Sequence, residues 1–452
     1  MDLISYEIKK NIFYLPTKGL VIIFKNNVNK IEKIRLMRDI SKEYGNIFEM
    51  ETLPKINEVK FRANYIVIFP TSNCNLKCVY CYYESGGENS IQLSEKQVDN
   101  ILKKLVQNSI LLSRGEERKR KMTLMIAGGG EPTYNKEFFY YIVERFKDLA
   151  NKYNIEKELY LITNGIFDYD IAEYILNNFD GVQISYDGLP EIQNKNRPTL
   201  NCKNSNEIVE KNIEYFDKNK FKYHIRSTLL PRDFKKIPEI IDYCFTKFKN
   251  LSLINVEPVF NKGRAENMNI LSYNNKLDFI NSFEEAWKLI YKKNYKGIIK
   301  THYLQAPSGK QYYCSSSIGK GYYLNEEGWI MSCSEKLPLS DYAIGFVDKL
   351  DIKYVKTSQQ YFLPHEELIN SCKACFAFFH CKGGCPMLIK KDKNGLIDEV
   401  SRASCELTRN FIERAIDNFL KKEKYCEYKA EEYKISDEKK GFIEKIIKVF
   451  IE

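Results

Sequence analysis

The apolar residues of the chain follow two spacings in turn, and their alternation predicts most of its architecture. Short, nearly continuous apolar runs read as buried strands at 65–70, 122–127, 158–163, 182–185, 223–229 and 251–257. Between them the apolar spacing lengthens to the helical period over 137–154, 171–178, 237–248 and 276–293. Another helix opens on Ser94-Glu-Lys-Gln97, which has the form of a capping box, and runs to about residue 110. Strands alternating with helices of this length predict parallel βαβ units. Outside them, 11–16 and 19–25 read as a hairpin, 28–44 as a basic amphipathic helix, and 427–452 as a Lys- and Glu-rich surface helix.

In parallel α/β folds the chemistry collects at the C-terminal ends of the strands. Five polar or glycine-rich segments fall there: Cys74 to Cys81, Gly128-Gly-Gly-Glu-Pro-Thr133, Thr163-Asn-Gly165, Ser185-Tyr-Asp-Gly188 and Glu257-Pro258. The first is the most informative. Cys74-Asn-Leu-Lys-Cys78-Val-Tyr-Cys81 offers three thiolates in eight residues. A [4Fe–4S] cube takes four cysteine ligands, so three leave one iron open to a small molecule. A zinc loop would need a second short cysteine pair or histidines downstream, whereas the next cysteine is Cys202 and the chain holds only 4 histidines. The three glycines let a backbone approach a ligand without an intervening Cβ, and Glu131-Pro132 stiffens the turn after them.

Composition narrows the class. Of 452 residues, 44% are hydrophobic and 29% charged, which suits a globular chain with room for two or three domains. The apolar runs are too short for a membrane span, and the first residues resemble no secretory signal. A net charge of +10, spread over this length, reads as a solvated surface with no nucleic-acid partner. The 13 cysteines then point to metal chemistry in a reducing cytoplasm, not to disulfides.

Taken together, Cys74-x3-Cys78-x2-Cys81, Tyr80 before the third cysteine, and Gly128-Gly-Gly-Glu-Pro132 resemble the radical S-adenosylmethionine (SAM) superfamily. The resemblance implies an α/β fold, a partial (β/α)6 barrel similar to a TIM barrel. It also implies a cluster on Cys74, Cys78 and Cys81 whose open iron binds SAM, with reductive cleavage giving a 5′-deoxyadenosyl radical that takes hydrogen from substrate. By the same resemblance Tyr80, Gly128, Gly129, Gly130, Glu131 and Pro132 contact the cofactor, with Ser185, Arg226, Asn164 and Val256 as further contacts.

The second half repeats the cysteine theme. Cys314, Cys333, Cys372, Cys375, Cys381, Cys385 and Cys405 resemble the seven-cysteine SPASM extension of radical SAM peptide-modifying enzymes. The resemblance implies that Cys372, Cys375, Cys381 and Cys405 ligate one auxiliary [4Fe–4S] cluster fully, and that Cys314, Cys333 and Cys385 hold another, for three clusters in all. The segment 315–320 contains no cysteine that would complete the latter. Sulfatase-maturing relatives carry an Asp after the second SPASM cysteine, thought to act as a base, whereas Cys333 is followed by Ser334 here. That difference favours peptide crosslinking through a substrate cysteine over formylglycine formation. A non-catalytic electron carrier is the reading from another class, and a vacant iron argues against it. No catalytic acid or base stands out, and Cys244 in an apolar helix reads as a small buried hydrophobe.

The expected organisation is therefore a possible leader-binding segment at 1–62, the barrel at 63–305, the auxiliary-cluster domain at 306–425 and a helix at 426–452. The expected partners are a ribosomal precursor peptide and an electron donor such as flavodoxin or ferredoxin.

Overall fold

The six predicted strands pair side by side and in parallel, in chain order. They are β4 (Tyr65–Ile68), β5 (Lys121–Ile126), β6 (Glu156–Thr163), β7 (Gly181–Ser185), β8 (Tyr223–Leu229) and β9 (Leu253–Pro258). The structure is a computed structural model. It describes residues 5–10, 12–17, 20–24, 29–43, 63–87, 90–113, 120–201, 203–266, 268, 270, 273–308, 313–314, 322–331, 333, 343–349, 372, 374–385, 399–422 and 447–451. By chain contacts it divides into two units, 1–55 with 302–314 and 362–452, and 56–301 with 315–361.

The second unit holds the barrel. Its helices cross between consecutive strands: α2 (Glu95–Leu112), α3 (Lys136–Lys152), α4 (Tyr169–Asn178), α7 (Ile237–Lys247) and, beyond β9, α8 (Tyr273–Lys293). The capping box forms, since the Ser94 side chain accepts from the Gln97 amide while the Gln97 side chain accepts from the Ser94 amide. Such a cap stabilises a helix by about 1 kcal/mol. Between β7 and β8 the apolar spacing set no helix bounds, yet α5 (Pro190–Asn196) and α6 (Asn206–Lys218) lie there, α5 opening on a proline at its first turn. At the edges, β10 (Ile298–Lys300) joins β9, while β11 (Tyr322–Leu324) pairs in parallel with β4 and continues antiparallel into β12 (Trp329–Met331) and β13 (Ala343–Phe346).

Side chains divide between the two faces of this sheet with period two. On β8, Tyr223, Ile225, Ser227 and Leu229 are buried, while His224, Arg226 and Thr228 are half-buried. Register carries the second set across the barrel, Ile162 beside Gln183, Gln183 beside His224, Ser185 beside Arg226 and Arg226 beside Asn255. The same face bears Val67, Met125 and Ile162, which join Phe69, Ala127, Tyr83 and Cys81 in one apolar cluster.

The first unit contains an antiparallel meander of β1 (Tyr6–Lys9), β2 (Ile12–Leu15) and β3 (Leu20–Phe24), followed by α1 (Lys30–Glu43). The expected hairpin and helix are both present. Here too are the short α9 (Phe378–Cys381) and α10 (Glu399–Lys422). Tyr14 and Val21 pack with Ala377, Ile412 and Ile416, so the N-terminal strands share a core with the cysteine-rich segment instead of standing alone. The C-terminal helix expected over 426–452 lies outside the described residues except at 447–451, where it needs correction. Residues 447–451 form β14 (Ile447–Ile451), parallel to β3, not helix. Its β-branched and aromatic residues, Ile447, Val449, Phe450 and Ile451, favour a strand and outweigh the Lys-rich helical pattern before it. Among the described residues, 322–331 and 343–349 group with the barrel sheet, and 5–10, 12–17, 20–24 and 29–43 with the cysteine-rich region.

Candidate active site

The three-cysteine loop follows β4 and is held at many points by the other strand ends of the barrel. Lys77 and Val79 amides donate to Pro198 and Asn196 carbonyls at 2.8 and 2.9 Å, and Leu200 donates to Asn75 at 3.2 Å. Asn75 Nδ2 donates to the Ile166 carbonyl at 2.8 Å, and Asn164 Nδ2 donates to Asn75 Oδ1 at 2.7 Å. Gly130 and Glu131 amides donate to Thr71 and Asn73 carbonyls at 2.9 and 2.7 Å. The segments at the ends of β4, β5 and β6 thus form one hydrogen-bonded surface, and the residues after α5 extend it.

The glycine run owes its composition chiefly to that contact. A Cβ on Gly130 would lie 1.9 Å from the Asn73 carbonyl oxygen, and one on Gly129 would lie 2.1 Å from the Tyr83 ring. The close approach foreseen for a ligand is in the first place an approach of the cysteine loop. Glu131 is likewise occupied. It is 2% exposed, and its carboxylate accepts from the Thr133 amide and hydroxyl, the Thr163 hydroxyl at 2.7 Å and the Asn164 amide at 2.8 Å. Burial raises its pKa above the usual carboxylate range, against the pull of those four donors.

Tyr80 points the same lesson. Its hydroxyl donates to the fully buried Asp187, and the Arg197 guanidinium sits 5.2 Å from its ring centroid. Arg197 Nε donates to Asp187 Oδ1 at 3.1 Å, and the Thr228 amide donates to the same oxygen at 3.1 Å. The Tyr80 side chain is therefore part of the barrel wall, and its main chain is what remains for a cofactor. Val256 is fully buried and alternates with the interior-facing Asn255 and Glu257, so there too only main chain is available. Ser185, Arg226 and Asn255 form a polar row across adjacent strands. Ser185 and Arg226 were expected there, whereas Asn255 was not.

Cys74, Cys78 and Cys81 are each half-buried. Burial pushes the Cys74 thiol up to about 12, with Glu131 adding to it, and the Cys78 thiol up to about 11, with Arg197 opposing. Such thiols ionise only against a local positive charge, which bound iron supplies. No three His, Cys, Asp or Glu side chains among the described residues converge as ligands of a single metal ion. A cube takes one thiolate on each iron, and three half-buried thiols in one loop are a donor set of that kind.

In the first unit the thiols of Cys372, Cys375, Cys381 and Cys405 lie within each other's electrostatic reach. Burial pushes the Cys381 thiol up to about 12, and Cys405, Cys375 and Cys372 add to it. Cys314 and Cys385 lie in the same unit and Cys333 in the other. Ser334 and 315–320 are outside the described residues, as are Cys202 and Cys426. His380 is 1% exposed and bonded to Tyr14 and Gln305, a packing role beside Cys381, and Cys244 is fully buried as expected.

Besides Asn255, three features of this site lay beyond sequence reasoning. Asp187 sat in a noted strand-end segment without a role. Arg197 and Arg264 carried no motif at all. Arg264 Nη1 and Nη2 donate to the Cys78 and Ser85 carbonyls at 3.0 and 2.7 Å, from the loop after β9.

A glycine-supported three-cysteine loop across the strand ends of a six-stranded parallel barrel defines the class. Residues 68–244 match the radical SAM superfamily, so the chain carries a radical SAM domain, whose family implies a [4Fe–4S] cluster and SAM. Among curated proteins it is 26% identical over 381 residues to the cysteine-type anaerobic sulfatase-maturating enzyme of Clostridium perfringens, covering 77% of this chain and 95% of that protein. The corresponding Clostridium novyi enzyme is 25% identical over 373 residues, covering 76% and 93%. Among solved structures, native anSMEcpe with bound AdoMet and Cp18Cys peptide superposes with a TM-score of 0.61 at 20% identity, covering 78% of this chain and 97% of that one. Streptococcus suis SuiB bound to its precursor peptide SuiA gives 0.55 at 16%, covering 82% and 87%. These likenesses establish a SPASM-type fold. Among the described residues no helix is long and apolar enough to cross a membrane.

Proposed function

We propose that the chain is a peptide maturase that oxidises a side chain of a bound polypeptide, and that its reaction is formylglycine formation of the sulfatase-maturating type. The observation that carries this reading is the match to the Clostridium perfringens enzyme, which runs through 77% of the chain and 95% of that protein. Cys74, Cys78 and Cys81 hold the SAM-binding cluster, and Cys372, Cys375, Cys381 and Cys405 hold an auxiliary one. With SAM bound, the reduced cluster supplies one-electron cleavage and a hydrogen-abstracting radical. The chain's own residues orient and shield. Ser185, Arg226 and Asn255 present hydroxyl, guanidinium and amide groups suited to a carboxylate or ribose. Val67, Phe69, Ala127, Met125 and Ile162 form a dry wall against Cys81 that limits quenching of the radical.

Crosslinking through a substrate cysteine is the second reading, favoured by Ser334 standing where sulfatase-maturing relatives carry the Asp. One experiment separates the two. Anaerobically reconstituted enzyme is incubated with SAM, dithionite and a cysteine-containing sulfatase peptide, then with cysteine-containing precursor peptides, and the products are analysed by mass spectrometry. Formylglycine formation removes the cysteine sulfur, whereas crosslinking retains it and removes two hydrogens. A sulfatase peptide left unchanged while 5′-deoxyadenosine accumulates would sink the first reading. A flavodoxin or ferredoxin is the proposed physiological electron donor in place of dithionite.

A further inference from the structure

The loop after β9 reaches the cysteine loop, and Arg264 bonds backbone at the second and third cysteines and just beyond them. The Arg264 amide donates to the Cys81 carbonyl at 3.1 Å, while its two terminal nitrogens take the Cys78 and Ser85 carbonyls. The preceding Gly263 has φ of +54°, and a Cβ there would lie 2.6 Å from the carbonyl oxygens of both Cys81 and Tyr82. Three donors from one residue therefore fix the turn that spans the second and third cysteines, and the approach is close enough to require glycine. Arg197, also near Cys78, is neutralised by Asp187. Arg264 forms no ion pair with any carboxylate among the described residues, and its guanidinium is held by backbone carbonyls of the loop.

We infer that Arg264 is a positioning residue for the cluster on Cys74, Cys78 and Cys81, holding the loop in its liganding form before iron arrives and raising the reduction potential of the bound cluster. The inference rests on the reading of those cysteines as cluster ligands. A guanidinium suits the task because its planar fork reaches two carbonyls at once, which a lysine ammonium does with less order. Net charge and hydrogen bonding around a cluster set its potential, so a fixed cation nearby shifts it upward.

The test compares the full chain with Arg264→Met and Arg264→Lys. Hydrogen exchange on the cluster-free proteins reads the loop directly and needs no bound metal. The amides of residues 81–86 should exchange faster in Arg264→Met, with the rest of the barrel unchanged. After reconstitution, the cluster whose electron paramagnetic resonance signal changes on SAM addition is titrated potentiometrically and challenged with an iron chelator. Arg264→Met should lose that iron at least about tenfold faster, as second-sphere substitutions at metal sites do, and its potential should shift downward. Arg264→Lys should recover the potential but not the iron retention. Wild-type exchange and potential in Arg264→Met, or faster exchange across the whole barrel, overturns the inference. A Lys variant as low in potential as Met removes the role of charge. If the wild-type chain shows no SAM-responsive cluster, the ligand reading itself fails, while the exchange result still decides whether Arg264 holds the loop.

Discussion

At the scale of single residues, the site is set by contacts too close to tolerate an added atom. Gly130→Ala would place a methyl group 1.9 Å from the Asn73 carbonyl oxygen, which belongs to backbone and cannot swing aside. The cysteine loop must then move, and the variant should lose iron at Cys74, Cys78 and Cys81 while keeping iron held by the first unit. Iron and sulfide content, with the SAM-responsive spectroscopic signal, would read this. Asp187 has a different part. It takes Tyr80, Arg197 and the Thr228 amide together at zero exposure, so Asp187→Ala leaves a buried guanidinium without its counter-charge. The expected cost is about 3–5 kcal/mol, with a smaller loss for Asp187→Asn, measured by chemical denaturation of the cluster-free chain. Of these residues, the cysteines were legible in sequence because their spacing is local. Arg264 was not, because its partners lie 186 and 179 residues away and no local pattern marks it.

Elements were legible where burial imposes a period. Strands β4 to β9 carry continuous or alternating apolar residues, and the helices that cross between them cap and repeat in the expected way. The pattern failed where context decides. The run at 447–451 sits behind a Lys-rich stretch, and only pairing with β3 makes its strand character count. Strands β11 to β13 are three or four residues each, too short to show a period, and their membership of the barrel sheet depends on β4, far back in the chain. Between β2 and α9 a single polar contact can be tested. His380 Nδ1 lies 2.7 Å from the Gln305 carbonyl and so carries its proton, which leaves Nε2, 3.0 Å from the Tyr14 hydroxyl, to accept. Burial lowers the His380 pKa from the ordinary 6.5 to about 3. The unfolded chain therefore binds a proton that the folded chain does not between those values, and stability is lost as pH falls through that window. Tyr14→Phe should cost about 1 kcal/mol at neutral pH by removing the hydroxyl that bonds Nε2, read from denaturation midpoints.

Over the whole molecule, cysteine chemistry is divided between two units of different construction. One is a parallel barrel whose strand ends hold a three-thiol loop, and the other gathers four thiols around a short helix and an N-terminal sheet. On the proposed ligation, three ligands leave an iron free to engage SAM whereas four close a cube, so the barrel unit would suit cofactor cleavage and the other electron transfer or substrate handling. Substitution can separate these tasks. Replacing Cys74, Cys78 and Cys81 with alanine should abolish 5′-deoxyadenosine formation under dithionite while iron remains bound through the first unit. Replacing Cys372, Cys375, Cys381 and Cys405 should leave reductive SAM cleavage measurable but end peptide oxidation, because the radical would still form without the partner cluster that completes turnover. Liquid chromatography of 5′-deoxyadenosine beside mass spectrometry of the peptide reads both outcomes from one reaction. If the second set of substitutions also stops SAM cleavage in protein that keeps its SAM-responsive cluster, the two units do not divide the work, and the auxiliary site must act before the radical forms.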